Sequence, residues 1–308
     1  MQNVMLSVLM AAHNAEKYIF ETIESVLMQT YDDFEFIIID DASTDSTNSI
    51  IRQFDDKRVK LLENTKNLGL TKSLNIGLKV AKGKYIVRTD ADDINITDRF
   101  EKQVEYMESN PQIMLSSCSM IIFDGNIEKP RILDFDNSQI KARLLFNSVL
   151  LHPGFIFKRE ICAEDGYDET YRYAQDYEFQ ARMSQKYAIS CIKDIGVRYR
   201  VSESQISTKK YIEQQECANR VRRRMFLHYG IALNDNRLKC VQLLSTGRIK
   251  EMTCVQFLVA SKIMFELKLK VKKSGCPEGK AICDLCDEMN YKMRNEIFER
   301  VKYVLKRD

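Results

Sequence analysis

The sequence predicts an α/β fold, with a mainly parallel, Rossmann-like sheet flanked by helices and a helical C-terminal extension. Three observations support this. Apolar runs alternate with helix-period segments over the N-terminal part, the runs are continuous enough for strands buried on both faces, and helical periodicity alone continues beyond residue 204. We therefore predict two domains, residues 1–204 and residues 205–308.

The first two βα units have the clearest pattern. Leu6–Ala11 is a continuous apolar run that predicts a buried strand, and Asn14 is the candidate N-cap of a helix whose apolar positions begin at Ile19. Phe34–Asp40 predicts a second buried strand that ends in carboxylates, and Ser43 or Asp45 is the candidate cap of the helix after it.

The elements that follow continue this alternation and then become helical. In the N-terminal domain they are a strand at Val59–Leu62, a helix through Leu70, Leu74 and Leu78, a strand at Tyr85–Thr89 and a helix that stops before Pro111. In the extension, helices are predicted at Lys209–Tyr229, Arg237–Leu244, Lys250–Lys273 and Lys280–Lys306.

The two predicted domains differ in charge. Residues 1–204 contain 25 Lys and Arg against 32 Asp and Glu, whereas residues 205–308 contain 22 against 12. A basic extension beside an acidic body suggests contact with an anionic surface such as a membrane, although a solvated basic helical surface explains it equally well. Phe257, Lys268 and their neighbours interleave apolar and basic residues, which is typical of an interfacial helix.

The cysteines and the apolar segments indicate a cytoplasmic protein. Nine scattered cysteines fit reduced thiols, and Cys283 and Cys286 lack the further ligands of a zinc site. The N-terminus has no basic region typical of a signal peptide, and Met252–Ser261, the longest uncharged stretch of the extension, is too short to span a bilayer. We expect peripheral attachment to the inner face of the membrane at most.

Polar residues follow three of the predicted strands, and ligands of open parallel sheets bind beyond these carboxyl ends. Asp40 and Asp41 follow the second strand, while Asp90, Ala91 and Asp92 form a D-x-D pattern after a later one. Mg²⁺ and Mn²⁺ are commonly held by one or two such carboxylates together with substrate phosphates. An isolated acidic pair more often caps a helix, so the clustering at one edge supports the metal site.

Six segments, in this order, resemble the bacterial family 2 glycosyltransferases. They are Ser7–Asn14, Ser25–Tyr31, Ile39–Asp45, Asn67–Asn75, Arg88–Asp93 and Tyr173–Glu178. The resemblance covers roughly residues 5–200. It implies a GT-A fold and an inverting, metal-dependent transfer of a hexosyl or N-acetylhexosaminyl group from a nucleotide-diphosphate sugar, expected to be UDP-linked, to an acceptor hydroxyl.

The same resemblance implies roles for individual residues. Ala11 and Asp41 match positions that contact the nucleotide base, and Asp90 matches a position near the ribose. Asp92 matches the ligand of a divalent cation, Mn²⁺ or Mg²⁺, and Asp176 matches the general base that deprotonates the acceptor.

Other candidate residues are open to two interpretations. His152 can be interpreted as a metal ligand, as an acceptor contact or as a polar loop residue. Lys72 can be interpreted as a contact of the diphosphate or as a solvated lysine of a helix. Many relatives carry an arginine where this chain has Leu74, which leaves phosphate neutralisation to Lys72, Arg88 or a residue of the extension. Asp40 either fixes a turn or binds a ligand.

Two other functions share parts of this pattern. A sugar nucleotidyltransferase usually has a glycine-rich loop after its first strand, where this chain has Ala11 and Ala12, and a non-catalytic nucleotide-sugar-binding module has no need of Asp176. Processive synthases are expected to carry a Q-x-x-R-W element, but the chain contains no Trp. We expect a non-processive enzyme of surface-polysaccharide assembly with a glycan or lipid-linked acceptor and no nucleic-acid partner.

Overall fold

The structure is a computed structural model that describes residues 4–124, 127–162, 166–201 and 210–305. The chain forms two compact units. Unit 1 comprises Met1–Phe135 and Leu150–Gln214, and unit 2 comprises Asp136–Val149 and Gln215–Asp308. The boundary predicted after residue 204 lies outside the described residues, and the assignment of separate roles to the two predicted domains stays a prediction.

Unit 1 contains a sheet of ten described strands. They are β1 (Leu6–Ala12), β2 (Phe34–Asp40), β3 (Val59–Glu63), β4 (Tyr85–Arg88), β5 (Ile94–Asn95), β6 (Ile113–Phe123), β7 (Glu128–Arg131), β8 (Phe155–Lys158), β9 (Ala188–Ile189) and β10 (Ile192–Arg200). The order is β3-β2-β1-β4-β8-β6-β10-β5, with β7 and β9 also paired to β6. The first four strands are mutually parallel, and β8 runs antiparallel to both β4 and β6.

The α-helices of unit 1 flank this sheet. They are α1 (Ile19–Leu27), α2 (Thr47–Ile51), α3 (Leu70–Val80), α4 (Arg99–Ser109) and α6 (Gln175–Lys186). Every residue of β2 is buried, and β1 has a single partly exposed residue, as expected for central strands covered on both faces. The predicted α/β class is therefore confirmed, and the parallel β3-β2-β1-β4 half brings the ends of these strands to one edge.

The cap predicted for α1 is wrong. Asn14 has a left-handed backbone with φ of 50°, and its side chain accepts a hydrogen bond from the Thr44 N–H at 2.9 Å. The helix begins at Ile19, five residues after Asn14, with Tyr18 as its N-cap. The N-cap of α2 is Ser46, so neither Ser43 nor Asp45 is the cap of this helix, although Asp45 Oδ1 accepts from the N–H of Thr47, its first residue, at 3.0 Å. Asn14 is therefore used to join two loops rather than to start a helix.

Unit 2 is helical in its described residues. Its α-helices are α5 (Asn137–Arg143), α7 (Tyr211–His228, which begins in unit 1), α8 (Asp235–Ser245), α9 (Cys254–Ser274) and α10 (Gly279–Leu305). The helix expected from Lys250 begins instead at Cys254, because Thr253 and Gln256 form a capping box there. The predicted ends at residues 209 and 306 lie outside the described residues.

The buried side of α9 is apolar. On α9 the buried residues follow a helical spacing: Phe257, Ala260, Ile263, Met264, Leu267 and Val271. Gly275 ends α9 with a left-handed φ of 63°, a conformation that glycine adopts without steric cost. No helix within the described ranges is long and apolar enough to cross a membrane.

Candidate active site

The loops that follow β1 and β2 are joined by hydrogen bonds. Asn14 both accepts from the Thr44 N–H and donates its own N–H to Ser43 Oγ at 3.0 Å. Ala42 has a left-handed backbone with φ of 55°, which is strained for alanine and is frequent at functional sites. Ala11, a predicted contact of the nucleotide base, is the one partly exposed residue of β1 and lies next to these loops.

Asp41 is buried, and both of its carboxylate oxygens are engaged within unit 1. Oδ1 accepts from the Leu68 N–H and from Asn64 Nδ2, and Oδ2 accepts from the Gly69 N–H, each at 2.8 Å. Burial alone would raise the pKa of Asp41, but these hydrogen bonds outweigh it and hold the pKa below its ordinary value. The carboxylate therefore anchors the loop that leads into α3, and its contact with a nucleotide base stays a prediction.

Asp40 has a structural function. Its Oδ1 accepts from the Ser43 N–H at 3.0 Å and its Oδ2 accepts from Asn48 Nδ2 at 2.8 Å. Of the two interpretations that the sequence left open, the one in which Asp40 fixes the turn after β2 accounts for both of its oxygens.

The end of β4 carries a cluster of three carboxylates, those of Asp90, Asp92 and Asp93. Arg88, the last residue of β4, is completely buried, and its Nη2 forms an ion pair with Asp90 Oδ1. The Asp90 side chain is 29% exposed, against 1% for the Arg88 side chain, so the cation lies on the protein side of this pair. Asp93 is buried, and its Oδ2 has no hydrogen-bond partner among the described residues.

These carboxylates raise one another's pKa. Burial and then the Asp90 charge raise the pKa of Asp92 to about 6, and burial together with the charges of Asp90 and Asp92 raises the pKa of Asp93. Burial and the same three charges raise the pKa of Tyr199, which places its ring beside the cluster. The end of β4 therefore contains more negative charge than its surroundings neutralise, which favours cation binding.

Arg200 holds the carboxylate loop from the other side. Its backbone N–H donates to Asp93 Oδ1 and its Nε donates to the Asp92 carbonyl, both at 2.9 Å. Its Nη2 donates to Glu21 Oε2 at 2.7 Å, and its guanidinium lies 4.2 Å from the centre of the Tyr18 ring. The last residue of β10 therefore ties the D-x-D loop to α1.

Asp176, the predicted general base, is the second residue of α6. A carboxylate in the first turn of a helix is stabilised by the helix dipole. Burial is the largest cause of the raised pKa of Tyr167, and the charges of both Asp176 and Asp90 contribute to it, so both carboxylates lie within electrostatic reach of this phenol. Tyr167 is fixed by Asn75, which hydrogen-bonds its N–H at 2.8 Å and its carbonyl at 2.9 Å, and its ring packs 4.7 Å from that of Phe179 on α6.

His152 and Lys72 differ in their surroundings. His152 is buried, its Nε2 lies 2.9 Å from Tyr167 Oη, and burial and the Arg88 charge lower its pKa. The imidazole is therefore neutral, and Nε2 is already engaged, which leaves Nδ1 for any further contact. Lys72 is exposed in the first turn of α3, close in sequence to the loop that Asp41 anchors. The roles of both residues stay predictions.

A divalent cation fits the end of β4 only with help from a substrate. Within the part of the chain that the structure describes, no three His, Cys, Asp or Glu side chains are arranged to hold a metal ion. The free Oδ2 of Asp93 and the raised pKa of Asp92 nevertheless indicate carboxylates that lack compensation. This fits a cation held by one or two carboxylates and completed by phosphate oxygens.

Three residues of this site, Arg88, Tyr167 and Arg200, have contacts that the sequence alone could not have revealed. The run at Arg88 suggested only a possible phosphate contact, whereas the side chain is buried behind Asp90. Tyr167 and Arg200 reach the site from segments distant in sequence, and neither lies in a motif whose spacing connects it to the D-x-D pattern.

Comparison with known proteins identifies the class. Residues 7–166 match the model of the family described as glycosyl transferase family 2. An uncharacterized glycosyltransferase of Haemophilus influenzae is 32% identical over 288 residues, 87% of this chain and 87% of that protein. The Escherichia coli UDP-Glc:alpha-D-GlcNAc-diphosphoundecaprenol beta-1,3-glucosyltransferase WfgD is 30% identical over 223 residues, 69% of this chain and 83% of that protein.

Solved structures show the same fold. S. aureus TarS 1-349 in complex with UDP-GlcNAc has a TM-score of 0.63 at 18% identity, covering 94% of this chain and 92% of that one. The mannosyltransferase PcManGT from Pyrobaculum calidifontis, in complex with GDP-Man and Mn2+, has a TM-score of 0.55 at 16% identity, covering 98% and 88%. The family match and these relatives define a glycosyltransferase, a class of enzymes that act on nucleotide sugars. The chain belongs to the family 2 glycosyltransferases and has a GT-A fold.

Proposed function

We propose that the protein transfers a hexosyl or N-acetylhexosaminyl group from a UDP-linked sugar to an acceptor hydroxyl, with inversion at the anomeric carbon. Family membership supports glycosyl transfer from a nucleotide sugar. WfgD is named for UDP-glucose, the TarS structure contains UDP-GlcNAc, and the PcManGT structure contains GDP-Man. Two of these three donors are UDP sugars. The uridine preference and the inverting course are part of the proposal.

The observation that carries this proposal is that the buried Tyr167 lies within electrostatic reach of two carboxylates. Its phenol senses the charges of Asp90, at the donor end of the sheet, and of Asp176, at the start of α6. A donor-binding carboxylate and a base must lie within one substrate length of each other for direct transfer. The proximity of Asp90 and Asp176 to one ring satisfies this requirement.

In the proposed reaction the donor lies along the ends of β1, β2 and β4. The nucleotide base contacts Ala11 and the Asp41 region, the ribose contacts Asp90, and Lys72 faces the diphosphate. Asp176 accepts the proton of the acceptor hydroxyl as its oxygen attacks the anomeric carbon, and the bond from that carbon to the diphosphate oxygen breaks. A single displacement of this kind inverts the configuration.

The cofactor in this proposal is Mn²⁺ or Mg²⁺. Asp92 is the proposed ligand, the free oxygen of Asp93 is close to it in sequence, and Nδ1 of His152 is a third candidate. When bound, the cation neutralises charge on the departing diphosphate. The protein itself supplies the carboxylates, and Arg200 fixes the loop that carries them.

The test of this proposal combines a donor panel with Asp176→Asn. We expect wild-type protein with Mn²⁺ to hydrolyse or transfer one UDP sugar, and the variant to lose about 10²–10⁴-fold in kcat, the usual range for loss of a general base. Donor affinity, measured by calorimetry, should stay within about twofold because this carboxylate faces the acceptor. Donor binding without turnover on any acceptor would instead favour a non-catalytic binding module, and synthesis of a nucleotide sugar would favour a nucleotidyltransferase.

The acceptor that we propose is a lipid-linked glycan at the cytoplasmic face of the membrane. WfgD is named for its action on a diphosphoundecaprenol-linked sugar, and other relatives are named for amylovoran and teichuronic acid biosynthesis. A membrane-bound acceptor would make attachment to the bilayer useful. Such attachment is expected through the predicted C-terminal extension.

One side of α9 has the composition of a membrane-binding surface. We call it the exposed α9 face, and it comprises Val255, Leu258, Lys262, Phe265, Leu269, Lys272 and Lys273. These positions recur at helical spacing opposite the buried side, with Leu258 73% and Phe265 61% exposed. Glu266, which borders this face, is paired with Arg237. Exposed apolar groups among lysines favour the surface of an anionic bilayer.

Vesicle co-sedimentation tests this surface. Replacing Lys262, Lys272 and Lys273 by Gln should weaken binding to anionic vesicles about a hundredfold at low salt, since each lysine contributes about 1 kcal/mol. Lys268 is left unchanged because it pairs with Asp287 at 2.6 Å. The control variant carries Gln at the exposed Lys57, Lys79 and Lys82 of unit 1, an equal change in charge. Equal losses in both variants, or equal binding to neutral vesicles, would contradict a specific role for the exposed α9 face.

A further inference from the structure

Three arginines, Arg88, Arg99 and Arg222, are among the largest completely buried side chains, and Arg88 differs from its neighbour Arg99. All three guanidinium nitrogens of Arg99 donate to neutral oxygens, those of Asn95, Gln103 and the Arg88 carbonyl. The ion pair of Arg88 is with the Asp90 carboxylate, and its Nε and Nη1 have no hydrogen-bond acceptor among the described residues.

This arrangement is unfavourable for stability alone. Burying a guanidinium removes it from water, and each buried N–H without an acceptor adds to that cost. Apolar residues of similar volume often replace a buried ion pair without loss of stability. The position of Arg88 at the end of β4, behind a partly exposed carboxylate, indicates a function at the edge where the donor binds.

We propose that Arg88 is a positioning residue for the donor nucleotide, which it affects only through Asp90. The buried guanidinium holds Oδ1 of Asp90 and so fixes the orientation of the carboxylate, which leaves Oδ2 to accept a hydrogen bond from the ligand. This inference rests on the proposed contact of Asp90 with the donor. It adds a residue that does not itself contact the nucleotide.

The charge of Arg88 acts in opposite directions on the two proposed ligands. It holds the Asp90 carboxylate that accepts from the nucleotide, but it repels a second cation nearby, and its field also reaches Asp92. Removing the charge should therefore weaken nucleotide binding and strengthen the binding of Mn²⁺ alone. A residue that only supports the fold would weaken both when removed.

The first experiment compares Arg88→Met with Arg99→Met, which removes an equally buried guanidinium without a charged partner. Calorimetric titration with UDP, and in parallel with GDP, is done in the presence of Mn²⁺, and Mn²⁺ is titrated alone at pH 8. We expect Arg88→Met to bind the nucleotide at least about tenfold more weakly and Mn²⁺ alone as tightly as wild type or more tightly. Arg99→Met should lower the melting temperature and leave the ratio of the two affinities unchanged.

Arg88→Lys shows whether the effects of Arg88→Met come from the lost charge or from a folding defect. Lysine keeps the positive charge but cannot reproduce the fork of the guanidinium. We expect Arg88→Lys to restore the wild-type affinity for Mn²⁺ alone and to recover nucleotide binding in part. Parallel loss of both affinities in Arg88→Met and in Arg88→Lys would overturn the proposal and leave Arg88 a structural residue.

A double-mutant cycle with Asp90→Asn tests whether Arg88 acts through Asp90. If it does, Arg88→Met in the Asp90→Asn background should weaken nucleotide binding by no more than about twofold further. Losses that multiply would overturn the inference. An unchanged affinity in Asp90→Asn alone would instead overturn the proposed contact of Asp90 with the donor, so the two failures are distinguishable.

Discussion

The ends of β2 and β4 carry the same residue type at the same edge of the sheet but in opposite electrostatic states. At β2, Asp40 and Asp41 accept hydrogen bonds from backbone and amide donors, and these hold the pKa of Asp41 low. At β4, Asp92 and Asp93 are crowded by another carboxylate, and the pKa of each is raised. The carboxylates at the end of β2 are compensated by hydrogen-bond donors of the protein. The carboxylates at the end of β4 are compensated only in part, although Arg88 and Arg200 lie beside them.

This difference supports a structural role for the acidic pair after β2 and the proposed ligand-binding role for the cluster after β4. Asp41 uses its charge to organise the loop that leads into α3. A bound cation would compensate the Asp93 oxygen that has no hydrogen-bond partner among the described residues, and it would favour the ionised form of Asp92. We therefore expect substitutions at the end of β2 to affect mainly stability and substitutions at the end of β4 to affect mainly ligand binding.

Reciprocal substitutions at the two ends should give the largest effects. Asp92→Asn should remove at least about 3 kcal/mol of transition-state stabilisation, about a hundredfold or more in Mn²⁺-dependent kcat, because it deletes the proposed metal ligand. Its melting temperature without metal should equal or exceed that of wild type, since a crowded charge is lost. Steady-state kinetics over a range of Mn²⁺ concentrations and thermal melting measure the two effects.

Asp41→Asn is the matched substitution and should show the reverse pattern. An amide in place of Oδ2 presents N–H groups to the Gly69 N–H, and we expect unfolding to become about 2–3 kcal/mol more favourable. The Mn²⁺ concentration that gives half-maximal turnover should not change. If Asp41→Asn altered the Mn²⁺ requirement while Asp92→Asn lowered stability, the assignment of the two strand ends would have to be exchanged.

The sequence predicted β1–β4 and α1–α4 in the right order because burial on both faces and helical periodicity are local patterns, but it predicted none of β5–β10. Leu6–Ala12 and Phe34–Asp40 agree with the predicted strands to within one residue. The family and the concentration of acidic residues at one edge were also accessible, because parallel strands bring their carboxyl ends together whatever the loops do.

The electrostatic states of the two strand ends could not be predicted in this way. The donors that saturate Asp41 come from a loop more than twenty residues later, and Arg200 reaches the D-x-D loop from β10. Asn14 has the composition of a helix cap but is used to join two loops, a choice that only the partner loop determines. Pairings of this kind depend on tertiary contacts that have no fixed spacing in the sequence.

The pH dependence of metal binding is a smaller effect that sharpens the comparison further. The pKa of Asp92 is raised to about 6, so protons compete with the cation below that pH. The affinity for Mn²⁺, measured by calorimetry without nucleotide, should rise by up to about tenfold per unit as pH increases towards 6 and level off above about pH 7.

The stability of the metal-free protein should depend on pH with the opposite sign. A carboxyl whose folded pKa lies above its unfolded value stabilises the fold when protonated, and that contribution is lost as pH rises from about 4 through 6. Asp92→Asn should weaken both trends and leave the part that comes from the raised pKa of Asp93, whereas Asp41, with its lowered pKa, stays ionised throughout and contributes to neither. A Mn²⁺ affinity that is flat between pH 5 and 7 would mean that Asp92 is already ionised there, and that the end of β4 is compensated as fully as the end of β2.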